Sequence, residues 1–143
     1  MKKKIKLRVG YNYDFHLVGI ISHSKDYTVS WAISKVLNIE MEKKDDLEVV
    51  NKQAEKFSVS NLVFEDDFRR FTLLTNKVVA NNSITQKLFI PSLGAFNYLL
   101  KIEEFEETSD VEGIFAQLRK AEKIDTLMKL DVKKVKEKEN FLF

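Results

Sequence analysis

A chain of 143 residues with 44% hydrophobic residues and eleven Phe is sized for one domain with a packed core, and too apolar for general disorder. Its 24 basic and 22 acidic side chains leave a net charge of +2, too small to imply a nucleic acid or an anionic membrane by itself. It has no Cys, which removes disulfides, thiolate nucleophiles and Cys-ligated zinc in one step.

MKKKIKLRVG has the basic start of a signal peptide, but Lys6 and Arg8 interrupt its apolar residues. The run LVGII is far short of a membrane span. A soluble cytoplasmic protein without membrane contact is expected. Ile5, Leu7 and Val9 alternate with Lys4, Lys6 and Arg8, the period-2 pattern of a half-exposed strand. Asp14 to Ser22, DFHLVGIIS, reads as a buried central strand. Gly19 within it predicts a close approach by another group.

The period then changes. Ser24 is the predicted N-cap of a helix, with Asp26 in its first turn and Asn38 closing it. Val29, Ala32, Ile33, Val36 and Leu37 form its apolar face. IEMEK resumes alternation, KKDD is read as a polar break, and LEVVNKQAEK is open between strand, loop and helical turn. FSVSNLVF and FRRFTLLT predict a β-hairpin turning at EDD, followed by the short strand KLFIP and a second strand, FNYLLKIE. SDVEGIFAQLRKAEKI has a capping box at Ser109 and Glu112 and a stripe of Val111, Ile114, Phe115 and Leu118, so a second helix is predicted. IDTLMKL is the predicted last strand. The pattern predicts an α+β fold, a mainly antiparallel sheet with two helices on one face in an elaborated ferredoxin-like plan. One domain is assigned to residues 1–130, and 131–143 is read as a charged, mobile tail without core spacing.

Pro91, the single proline, and Gly94 predict a corner between KLFI and FNYLLKI, with Gly94 supplying backbone freedom. This corner resembles the IPExxxVDY family of small bacterial proteins. Ile90, Pro91 and Tyr98 stand at its Ile, Pro and Tyr, while Ser92 replaces the Glu, Phe96 the Val and Asn97 the Asp. Asp14, Phe15, Leu17, Gly19 and Ile20, then Asp26 and Tyr27, then Leu37 and Asn38, extend the resemblance over residues 14 to 130 through short, degenerate motifs. It implies no activity. If the motif's two carboxylates are a catalytic or metal-binding pair, Ser92 and Asn97 supply neither the charge nor the proton transfer, so either the motif is structural across the family or this chain has lost a function.

Catalysis is disfavoured throughout. His16 and His23 have no local partner at a metal-ligand spacing, the acidic tip Glu65, Asp66 and Asp67 reads as solvated, and no phosphate-binding or nucleophile-elbow motif occurs. No cofactor or metal is expected. Ser22, His23, Ser24 and Asp26 at the strand–helix junction form a possible ligand loop of the kind used by ACT domains, although this loop lacks their glycine.

Tyr27 and Trp31 are one helical turn apart and nearly opposite the apolar face of the first helix. Either another part of the chain covers them or they form an interaction surface for a protein partner or a homo-oligomer, as exposed Trp and Tyr often do. Lys2, Lys3, Lys4, Lys6 and Arg8 at one end, with Lys129, Lys133, Lys134, Lys136 and Lys138 at the other, suggest an RNA or ribosome contact. The tail lysines are interspersed with acids, so a solvated tail ranks above a nucleic-acid arm.

Overall fold

A computed structural model describes residues 13–79, 86–105 and 110–143. In chain order the elements are β1 (Phe15–Ile21), α1 (Asp26–Leu37), β2 (Glu42–Val50), β3 (Lys56–Glu65), β4 (Arg69–Thr75), β5 (Lys77–Val79), β6 (Gln86–Leu88), β7 (Tyr98–Glu104), α2 (Val111–Leu118) and β8 (Thr126–Leu130). Short 3-10 turns span Pro91–Leu93, Val132–Lys134 and Lys138–Phe141. The strand expected around Ile5 to Val9 lies outside the described residues.

The fold is α+β, with a six-stranded antiparallel sheet in the order β2-β3-β4-β7-β1-β8 and a separate ribbon of β5 and β6. The four strands β8-β1-β7-β4 carry the ferredoxin-like plan. Here β7–α2–β8 straddles β1, and the connection from β1 through α1 to β4 straddles β7. The sequence suggests IEMEK as the second strand of that plan, after the first helix; in the structure β4 takes that place, and β2 lies at the far edge beside β3. The charges explain the placement: EKKDD suits an exposed edge, where it also deters further pairing, whereas the apolar FTLL of β4 suits the interior. KKDD is therefore strand, with a bulge between Lys44 and Leu47.

Both sheet faces are covered. On one face α1 sets Val29 and Ile33, and α2 sets Ile114, Phe115 and Leu118, against Val18, Ile20, Phe71, Leu73, Leu100 and Ile102. The opposite face buries Phe15, Leu17, Val59, Leu74 and Leu99 beneath the Pro91 corner and the C-terminal segment. This double cover is why DFHLVGIIS shows no polar alternation. At Gly19 a Cβ would lie 2.6 Å from the Phe96 ring, so the close approach read from the sequence is the packing of that ring on bare backbone.

Residues 131–143 depart from the expected mobile tail. Val132, Val135 and Phe141 are buried, and the Phe141 ring meets Phe15 and Phe89 edge-on at 5.7 and 5.8 Å. Two 3-10 turns carry the segment, so its buried residues follow neither a helical nor a strand period, and pattern alone misses them.

The helix ends also differ. The N-cap position of α1 is Lys25, one residue after Ser24, and no side chain caps it. Asn38 closes α1 in the left-handed conformation, as its residue type predicts. At α2 the Asp110 carboxylate accepts the Gly113 N–H at 3.0 Å, whereas Ser109 lies outside the described residues. Gly94 is right-handed, so its backbone does not require glycine.

Candidate interaction surface

The first helix is held by its inner face. Val29, Ala32 and Ile33 are buried, and Ser30 beside them is buried too. Two bonds from the sheet fix its start: the Tyr98 hydroxyl donates to the Ser24 carbonyl at 2.5 Å, and the Ser60 hydroxyl donates to the Asp26 carboxylate. Burial, together with the nearby Asp26 charge, pushes the Tyr98 hydroxyl up to about 12. With the inner face so committed, Tyr27 and Trp31 point outward and are 64% and 56% exposed. Lys35 continues the same row, its ammonium 5.0 Å from the centre of the Trp31 ring, a cation–π contact. Tyr27, Trp31 and Lys35 thus form one ridge at four-residue spacing.

The possible ligand loop does not converge on a shared point. Ser22 is buried and its hydroxyl donates to the Lys123 carbonyl, while its oxygen accepts the Ser24 N–H at 3.1 Å. His23 projects into solvent with Nε2 3.6 Å from Asp125. Asp26 alone reaches a shallow cleft of about 300 Å³, shared with Lys25, Ser58, Ser60, Lys77 and Tyr98. His16 Nε2 lies 2.9 Å from Glu104 Oε1. Asp66 accepts the Phe68 and Arg69 N–H groups at 2.9 and 3.0 Å, so part of the acidic tip closes the hairpin turn. Among the described residues no group of three or more His, Cys, Asp or Glu is placed to hold a metal ion.

The motif residues at the corner are structural in their contacts. Ile90 is buried, Pro91 opens a 3-10 turn, and Tyr98 anchors the loop before α1. Asn97 Oδ1 accepts the Ser22 N–H at 3.0 Å, and the Ser92 hydroxyl donates to Glu137 at 2.5 Å, which ties the corner to the C-terminal segment.

Sequence reasoning missed Asn76 and Lys101. Asn76 is fully buried; its amide donates to the Leu93 and Phe96 carbonyls at 2.9 and 3.1 Å and its oxygen accepts the Ile90 N–H at 2.7 Å. An isolated Asn after the apolar FTLLT gave only a faint signal. Lys101 is buried in β7, donates to the Phe141 carbonyl at 2.7 Å, and lies 4.8 and 4.4 Å from the Phe15 and Phe143 rings. Burial holds its ammonium below the usual lysine range, with Arg70 adding to that and Glu103 opposing it. A single Lys within YLLKI was the available clue.

The C-terminal lysines are partly engaged. Lys129 pairs with Glu112 at 3.0 Å, and Lys138 lies over the Tyr13 ring at 5.7 Å. The lysines and arginine at the opposite end lie outside the described residues. Among the described residues no helix is long and apolar enough to cross a membrane. No family model matches this chain, and comparison with curated proteins and with solved structures also gives no match.

Proposed function

We propose that this is a non-enzymatic, cytoplasmic protein of the IPExxxVDY type that acts by protein–protein contact through the outer face of α1. The observation that carries the reading is the exposure of Tyr27 and Trp31 on a helix whose other face is buried in the core. Large aromatic side chains supply contact area at small entropic cost, and Trp and Tyr are the residue types most often found at the centre of interfaces. The family part of the proposal rests on Ile90, Pro91 and Tyr98: Ile90 is buried, Pro91 opens a 3-10 turn, and the Tyr98 hydroxyl donates to the Ser24 carbonyl.

The small-molecule reading has less support, since Ser22 is committed to backbone groups and His23 lies in solvent beside Asp125 without lining Asp26's cleft. The double substitution Tyr27→Ser, Trp31→Ser tests the contact. It should leave the thermal midpoint unchanged and abolish association, read by affinity capture on the full chain or on a sizing column. Undiminished association removes the proposal.

A further inference from the structure

The helix face of the sheet changes character along one line. Leu62, Leu73 and Leu100 form a buried row across β3, β4 and β7, with Leu73 paired to both of the others. Two residues away in each strand, the side chains on that face are Ser60, Thr75 and Tyr98. Thr75 and Tyr98 are register partners, and Ser60 adjoins Asn61, the partner of Leu74. Three neighbouring strands thus turn from hydrocarbon to hydroxyl at one level, and these hydroxyls line the cleft of about 300 Å³ beside Asp26.

The charges around this row are unequally matched. Asp26 accepts the Ser60 hydroxyl and the Tyr27 N–H, and Asp46 pairs with Lys43 at 2.5 Å. Lys25 and Lys77 line the same cleft, and among the described residues neither ammonium has an ion-pair partner. Lys77 is fixed at its backbone, because it follows the buried Asn76 and its N–H donates to the Asn97 carbonyl at 3.4 Å. Ser60 and Tyr98 donate their protons to Asp26 and the Ser24 carbonyl, and Ser58 donates to Glu48 at 2.9 Å. Towards a ligand, the oxygens of all three are therefore acceptors.

We propose that this cleft binds a small phosphorylated polyol, of the sugar-phosphate class, whose phosphate is held by Lys25 and Lys77 and whose hydroxyls donate to the hydroxyl row. Two uncompensated ammoniums suit a dianion, and a floor of acceptors suits a ligand rich in O–H groups. The ammonium of an amino acid would meet carboxylates that are already compensated. The site uses neither Ser22 nor His23, and it is independent of the contact reading, since Tyr27 and Trp31 lie on the outer side of α1.

The experiment is calorimetric titration of the full chain with glucose 6-phosphate, ribose 5-phosphate, glucose, inorganic phosphate and glycine, each up to about 10 mM at low salt. At least one sugar phosphate should bind saturably, about 10-fold or more tighter than glucose or inorganic phosphate. Lys25→Met and Lys77→Met should each weaken it at least ~10-fold, with the thermal midpoint as the control for folding. Thr75→Val should weaken it about threefold and leave inorganic phosphate unaffected, because that substitution removes a hydroxyl and no charge. Tyr27→Ser with Trp31→Ser should leave the titration unchanged, so failure here and failure of the contact reading are separate results.

A wild type that gives no saturable binding with either sugar phosphate overturns the proposal. Binding that survives Lys25→Met with Lys77→Met places the ligand elsewhere and overturns the site. Inorganic phosphate bound as tightly as the sugar phosphates, or glycine bound in preference to them, overturns the ligand class.

Discussion

The outer face of α1 and the C-terminal segment are alike in composition, since both set aromatic residues among lysines, yet the fold treats them in opposite ways. Phe141 is fully buried, whereas Tyr27 and Trp31 stay in solvent. The cause lies in what each region is placed against. Two helices cover one face of the sheet, so the outer side of α1 has nothing left to bury. Among the described residues the other face carries no α-helix, and Phe15, Leu17 and Leu99 are covered there by the Pro91 corner and the C-terminal 3-10 turns. Whether an aromatic residue belongs to the core therefore depends on the uncovered area in front of it, and its neighbours in sequence say little about that.

Substitutions sharpen the contrast. Phe141→Ala should cost most, about 3–5 kcal/mol, because it leaves a cavity between Phe15 and Phe89; urea titration measures it. A loss under about 1 kcal/mol would mean that the segment is peripheral after all. Asn76→Ala should cost about 2–3 kcal/mol by stranding the Ile90 N–H and two carbonyls, with no change at α1.

The alkaline limb of stability comes next. Folding raises the Tyr98 hydroxyl from 10.0 to about 12, so the folded chain keeps a proton that the unfolded chain loses. The stability from Tyr98 is complete below pH 10 and drains away as the pH climbs to about 12, on the order of 2 kcal/mol in all. Lys101 works in the opposite sense. Its folded ammonium gives up its proton before the unfolded one does, so its contribution rises with pH up to the ordinary lysine value of 10.5. Tyr98→Phe should flatten the loss above pH 10, and Lys101→Met should steepen the net decline, both read from thermal midpoints across the alkaline range. At the small end, Tyr27→Ser with Trp31→Ser should move stability by less than about 0.5 kcal/mol, since neither ring is in the core. A larger loss would place the stripe inside the fold and erase the difference between the two regions.

Much of the site was legible and much of the support around it was not. The four-residue spacing from Tyr27 to Trp31, set against Val29 and Ile33, directs the rings outward because a helix has a fixed turn angle. The residues that hold α1 in place were hidden. Tyr98 reaches the Ser24 carbonyl, and Asn97 reaches the Ser22 N–H, across sequence separations that no local pattern reports. Asn76 is hidden for the same reason: its three partners lie on the far side of the β5–β6 ribbon.

By itself the sequence determined the helices, most of the strands, the antiparallel sheet and the outward row on α1, because period and turn chemistry act over neighbouring residues. Only the tertiary structure decided that β2 goes to the edge, that the last residues close the second face and that Lys101 lies beneath Phe141. Those outcomes depend on which surfaces remain to be buried once the sheet has formed, a balance of areas and charges struck over the whole chain.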